Sequence, residues 1–200
     1  YSKLQTSMWA ALAFCGLRLY AGESLGKLVQ DARRYLELSK DYGQSSIGPF
    51  FLAIQQFCLN LMGHAADSPL VLTGEAMNEK DMMGKARAEH NTGLTTMILV
   101  GKYRIAMHLN ELSCTDLMSA QIRKLQKHSL PMVPTMMLVH TFYEGIVAVA
   151  TAKTFQRHSI LRQRKLRAAR QRLKKLRQAA KHCPENIMNK VLLLEAEMAA

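Results

Sequence analysis

Residues 161–183, LRQRKLRAARQRLKKLRQAAKHC, carry a repeating apolar pattern on an otherwise basic background. The apolar side chains recur at steps of three and four positions, which is the spacing of one narrow face of an α-helix. They are Leu166, Ala169, Leu173, Leu176 and Ala180. The pattern predicts a long helix that packs through one edge against other helices, and it favours an all-α fold.

The composition of the whole chain agrees with this reading. Of the 200 residues, 48% are hydrophobic, which is enough to bury one compact core and excludes a disordered tail. Aromatic residues make up only 6%, and Leu, Ala, Arg, Lys and Gln, which favour helices, recur throughout. Because the sequence starts at Tyr1 and stops within a helical pattern, we expect a segment of a longer protein.

Helical patterns continue on both sides of the basic segment. Apolar helices are predicted to begin near residues 2, 48, 92, 134 and 184, and more polar helices alternate with them. This spacing of about 42–50 residues is typical of two-helix repeats. We therefore predict a tetratricopeptide-like (TPR-like) array of antiparallel helix pairs, as in an α-solenoid, with Leu109 and Ile146 in its core. The predicted units are residues 2–43, 48–90, 92–128 and 134–182, followed by the start of a further helix in 184–200.

Short motifs predict where some of these helices begin. Pro49 and Pro184 suit the first turn of a helix, because a proline there loses no helical hydrogen bond. Asn78 is a candidate N-cap with Asp81, and Ser113 with Asp116 has the spacing of a capping box. The stretch VLTGE at residues 71–75 has a single glycine, which cannot specify a phosphate-binding loop, and we expect an ordinary loop there.

The net charge of +12 is concentrated in the basic helix, which we place at residues 157–181. Residues 153–181 hold 12 basic residues and no acid, which leaves 15 basic residues to balance the 15 acidic ones elsewhere. A candidate surface for an anionic partner follows directly. It comprises Arg162, Arg164, Lys165, Arg167, Arg170, Arg172, Lys174, Lys175, Arg177 and Lys181.

Three interpretations of this surface stay open: a solvated outer face, a docking surface for an acidic protein, and a site for nucleic acid or anionic lipid. No aromatic residue follows Phe155, so base stacking has no obvious platform. The apolar face is too narrow for a helix that lies on a membrane surface. The pattern therefore favours a solvated face first and an acidic partner second.

Other candidate sites are weakly supported by the sequence. The four cysteines and seven histidines do not cluster at ligand spacing, so we predict no disulfide framework, no metal site and no cofactor. His140 and Glu144 lie one helical turn apart, which is compatible with an acid–base pair but more typical of a buried polar contact. Residues 130–152 are apolar enough to be weighed as a membrane span, but His140, Glu144 and two prolines disfavour it.

Five stretches resemble one protein family: FLAIQQFCLNLMG, SPLVLTGEAMNE, MILVGKYRIAMHLNE, HTFYEGIVAVATA and HCPENIMNKVLLLEAEMA. They are similar to the helical region of large multidomain signalling kinases, over residues 49–200. In that family a kinase-like domain and an AAA-type ATPase module precede the helical region, and a GAF domain with a histidine kinase follows it. The basic character of residues 157–181 departs from the family, whose helix at this place is polar and mixed.

The resemblance implies a cytoplasmic, non-catalytic scaffold that couples neighbouring domains. Its parent protein would be an ATP-dependent serine/threonine or histidine kinase, and its partners would be flanking domains or other proteins. Since the family's catalytic motifs lie in those flanking domains, we assign no catalytic residue to this chain. The alternative is a binding module whose basic helix contacts nucleic acid or an acidic protein.

Overall fold

The computed structural model describes residues 3–126 and 134–200. Nine α-helices and one short 3-10 turn make up the helical structure of this part of the chain, and no β-sheet forms in it. The prediction of an all-α protein is therefore confirmed. The helices are α1 (Lys3–Tyr20), α2 (Leu25–Asp41), α3 (Gly48–Leu61), α4 (Glu79–Ala88), α5 (Thr92–His108), α6 (Thr115–Gln126), α7 (Pro134–Lys153), α8 (Ile160–Ala180) and α9 (Pro184–Ala199).

The chain divides into two compact units. The first contains Tyr1–Leu109 and Ala120–Pro131. Its centre is α3, whose residues are buried almost throughout because α1, α2 and α5 all pack against it. Pro49 lies in the first turn of α3, as predicted.

Hydrogen bonds from the side chains of Gln56 and Asn60, which we call the polar clip, hold the loop between α3 and α4. The side-chain amide of Gln56 donates to Asn60 Oδ1 at 2.7 Å, and Asn60 Nδ2 donates to the carbonyl of Val71 at 2.7 Å. Gln56 Oε1 also accepts the backbone N–H of Ala76. Gly74 passes so close to this clip that an added Cβ would lie 2.7 Å from Gln56 Nε2. The predicted loop at residues 71–75 is confirmed, and it is anchored to the core helix.

The second unit contains Asn110–Ser119 and Met132–Ala200. Helices α7, α8 and α9 pack against one another in it. Gly145 lets α9 approach α7 closely, because a Cβ at this position would lie 2.6 Å from a methyl group of Leu194. The buried core of this unit consists of Phe142, Ala148, Val149, Ala169, Leu173, Leu176, Ala180, Ile187, Val191 and Leu194.

Three sequence predictions about local structure were wrong. The basic helix begins at Ile160 rather than at residue 157, because Ser159 caps it by accepting the backbone N–H of Leu161. Ser113 is not a helix cap but lies in the 3-10 turn that precedes α6. Leu109 is not a core residue: it follows the last turn of α5 and is 45% exposed.

Other predictions are confirmed or lie outside the described residues. Asn78 caps α4 by accepting the backbone N–H of Asp81, as predicted. Ile146 is half-buried against the core of the second unit. The predicted end of one helix pair at residues 127–128, and the first part of the apolar stretch 130–152, lie outside the described residues. Among the helices that the structure describes, none has both the length and the apolar character needed to cross a membrane.

Candidate anionic-partner surface

The inner edge of α8 is the apolar face that the sequence predicted. Ala169, Leu173, Leu176 and Ala180 are all buried. They belong to the same core as the apolar residues of α7 and α9. The narrow seam therefore fixes which side of α8 is turned inward. The other sides of the helix carry its nine basic residues, and Lys181 follows at the C-cap.

One flank of α8 forms two ion pairs within the second unit. Lys165 pairs with Asp116, at the start of α6. Arg172 donates through Nε to Glu144 Oε2 of α7 at 2.8 Å. Both cations have less than a fifth of their side-chain surface exposed. Lys165 and Arg172, two residues of the predicted surface, therefore form ion pairs within the unit.

Glu144 is the centre of a buried polar cluster. Its second carboxylate oxygen accepts the hydroxyl of Ser119 at 2.9 Å. Burial alone would raise the pKa of this carboxyl group, but the hydrogen bond and charge of Arg172, with smaller contributions from His140 and Ser119, hold the pKa below its usual value. Glu144 is therefore charged near neutral pH and ties α6, α7 and α8 together. The sequence favoured a hydrogen-bonded pair of Glu144 with His140, and this was wrong: Arg172 and Ser119 donate the hydrogen bonds to Glu144, and none joins the ring of His140 to Glu144.

The opposite flank of α8 faces α9. Arg177 donates to Glu195 through Nε at 2.8 Å, and both residues are partly exposed. Arg162 is half-buried at the start of the apolar seam. Three of the ten predicted surface residues thus pair with neighbouring helices, and Arg162 is half-buried.

The other six basic residues of the predicted surface are exposed, and no ion pair is found for them within the described part of the chain. On an α-helix they fall on the side opposite the apolar seam, because successive residues are rotated by about 100°. With a rise of about 1.5 Å per residue, this face is about 26 Å long. We call these residues the outer cations: Arg164, Arg167, Arg170, Lys174, Lys175 and Lys181.

The acids of the second unit explain why the outer cations are unpaired. This unit contains only six acidic residues. Four of them form ion pairs that join helices: Asp116, Glu144 and Glu195 with α8, and Glu197 with Lys153 of α7. These four acids pair at the flanks of α8 or with α7, and no ion pair joins the other two, Glu111 and Glu185, to an outer cation in the described residues.

An exposed apolar row on α9 was missed by the sequence reasoning. Met188 is 42% exposed and Leu192 is 57% exposed, and they lie one turn apart on the same face of the helix. Leu193 is 51% exposed beside them. The signal was present in the run of three leucines in VLLLEAEMA, because a helix with a single buried face cannot bury all three.

Other chemistry-bearing groups of the described residues include two buried thiols and a cavity lined by charged residues. No group of three His, Cys, Asp or Glu side chains there is placed to hold a metal ion. Cys15 and Cys58 are fully buried, and burial raises the pKa of these thiols to about 11 and about 12. A shallow cavity of about 390 Å³ lies beside α4, and one of its two acids, Glu79, already pairs with Lys102 and accepts the backbone N–H of Leu72.

No family model, no curated protein and no solved structure matches this chain. The resemblance to the helical region of signalling kinases therefore stays a prediction from sequence.

Proposed function

We propose that this chain is a non-catalytic helical scaffold. The observation that carries the proposal is the use of four largely buried polar side chains. Glu144 with Arg172 in the second unit, and Gln56 with Asn60 in the first, join one helix or loop to another. A buried polar group that is fully hydrogen-bonded to its neighbours fixes the geometry of a fold and is not available to a substrate.

The setting of this scaffold is a large intracellular signalling kinase in which it couples neighbouring domains. This part of the proposal rests on the family resemblance of residues 49–200. In such a protein the helices form a TPR-like array, and the rigid helix–helix contacts transmit changes of geometry between an ATPase module and a sensor module. The parent enzyme then uses ATP, and this segment does not.

Calorimetry and a phosphotransfer assay on the purified chain test the scaffold proposal. We expect no stoichiometric ATP binding and no nucleotide hydrolysis, with magnesium present in both experiments. Stoichiometric binding that is lost when residues of the cavity beside α4 are changed, for example Lys80→Gln and Arg87→Gln, would contradict the proposal. The gene provides a second test: the kinase setting requires a phosphate-binding loop encoded upstream and a sensor domain encoded downstream.

A second candidate function is a binding module for an anionic partner. It is favoured by the outer cations, because unpaired cations on one rigid face are available to an external anion. Binding to duplex DNA and to an acidic polypeptide should be compared at low and at physiological salt. If the face is only solvated, both affinities are weak and disappear as salt rises, since counterion release is then the sole driving force.

A further inference from the structure

We propose that the outer cations of α8 and the apolar row of α9 form one docking surface, and that its occupant is an acidic amphipathic α-helix of a partner protein. This inference rests on the second candidate function, the anion-binding module. It adds a class of partner and a second half to the surface, the apolar row of α9.

The ion pair between Arg177 and Glu195 places the two halves of the surface side by side. Arg170 and Lys174 precede Arg177 by seven and three residues, so they lie on its face of α8. On α9, Met188 and Leu192 precede Glu195 by seven and three residues, so they lie on its face. A row of cations on α8 and a row of apolar side chains on α9 therefore lie on the two sides of the ion pair between Arg177 and Glu195.

An acidic amphipathic helix complements both rows at once. Its carboxylates would lie over the outer cations, for which no ion pair is found within the described residues. Its leucine-type side chains would cover Met188 and Leu192, which are about half exposed. Burying apolar surface supplies affinity, and charge complementarity fixes which helix binds and in which direction.

Nucleic acid matches only the cationic half of this surface. A phosphate backbone would leave Met188 and Leu192 in water, so the apolar row would contribute nothing to binding. Aromatic side chains for base stacking are also missing: Phe142 is buried, and Tyr143 and Phe155 are at most half exposed.

An anionic membrane fits less well than a helix for a different reason. Binding to a bilayer surface requires a broad, bulky apolar face that enters the lipid, with cations at its edge. Here the large exposed side chains of α9 are few, and the acidic residue Glu185 is exposed on the same helix. A partner helix can place a cation opposite Glu185, whereas an anionic lipid headgroup would be repelled by it.

Four probes in a fluorescence titration at physiological salt test the inference. The first is a synthetic acidic helix of about five turns with leucines on one face and glutamates beside them. The second is the same peptide with its leucines replaced by glutamine, so that its charge is unchanged. The third is duplex DNA, and the fourth is a vesicle that contains phosphatidylserine.

Two variants of the chain divide the surface into its halves. The cation variant carries Arg167→Gln, Arg170→Gln and Lys174→Gln, and the apolar variant carries Met188→Gln and Leu192→Gln. All five side chains are exposed, so both variants should keep the parent's helical spectrum and melting behaviour.

Matched controls make similar changes elsewhere. The charge control replaces three exposed cations of the first unit, Arg34, Lys40 and Lys85, by Gln. The apolar control replaces Leu117 and Ile160, which are 66% and 81% exposed in the second unit, by Gln.

We expect the leucine-containing peptide to bind best, and each surface variant to weaken it about tenfold. The two controls should change its affinity less than twofold. Equal binding of the two peptides, or tighter binding of DNA than of the leucine peptide, would overturn the inference and leave the anion-binding module in place. Vesicle binding that needs the apolar row, without peptide binding, would replace the partner helix by a membrane. If no probe binds, both the docking-surface inference and the anion-binding module are wrong. The scaffold proposal is tested separately, by the nucleotide-binding and hydrolysis assays on the purified chain.

Discussion

The cluster around Glu144 allows a quantitative test of the second unit. Replacing Arg172 by Met removes the cation and keeps most of the apolar length of the side chain. Glu144 then loses its main cation in a site where only 11% of its side chain is exposed, although it keeps the hydrogen bond from Ser119. Removing one partner of a buried ion pair typically costs 3–5 kcal/mol, and since both groups keep some contact with water, we expect about 3 kcal/mol.

Urea denaturation followed by far-ultraviolet circular dichroism measures this loss. The matched control is Arg170→Met, two residues away on the exposed face of the same helix, which should change stability by less than about 0.5 kcal/mol. The double variant Glu144→Gln, Arg172→Met removes both charges and should recover much of the loss. Equal stability of the Arg172→Met and Arg170→Met proteins would refute the reasoning.

The same cluster predicts the direction of a pH effect. Because the pKa of Glu144 is lower in the folded protein than in an unfolded chain, its charge contributes stability above the ordinary glutamate pKa of about 4.3. That contribution is lost as the pH falls from there through the lower pKa of the folded state. The parent protein should therefore lose stability over this range more steeply than Glu144→Gln. Arg172 and His140, the charged and titratable neighbours that act on Glu144, are present in both proteins.

Three further changes test other parts of the structure by the same denaturation assay. Gly74→Ala should destabilise the protein by about 2 kcal/mol, because the new Cβ would collide with the polar clip. Gly84→Ala has no atom within 4 Å of the new Cβ and should stabilise α4 by about 0.5–1 kcal/mol. A Gly74→Ala protein more stable than the Gly84→Ala protein would contradict the described loop. Ile146→Asp should lower the stability by about 2 kcal/mol and Leu109→Asp by less than about 0.5 kcal/mol, since only Ile146 packs against a core. Equal losses of stability would exclude the placement of Ile146 in the core and of Leu109 on the surface. Replacing the outer cations by Gln should raise stability by about 0.5–1 kcal/mol because repulsion within α8 is relieved, and a loss of stability would mean that they have partners.

The sequence by itself determined the helices and the inward edge of α8. Steps of three and four residues between apolar positions predict one buried face whatever packs against it, because the pitch of an α-helix is a local property. The starts of α3, α4 and α9 were predictable for the same reason: Pro49, Asn78 and Pro184 act on backbone groups within their own first turn. Ser113 was misassigned because the capping-box spacing is equally compatible with a 3-10 turn.

Only the tertiary structure decided which basic residues form ion pairs and which remain unpaired. The partners of Arg172 and Lys165 lie 28 and 49 residues away in sequence, so no local pattern separates these two cations from Arg170 or Lys174. Arg104 was equally unpredictable: it is only 7% exposed because its guanidinium group stacks over the rings of Tyr20 and Phe57. The physical reason is that burial and ion pairing depend on which helix lies alongside, and the packing of distant segments sets that.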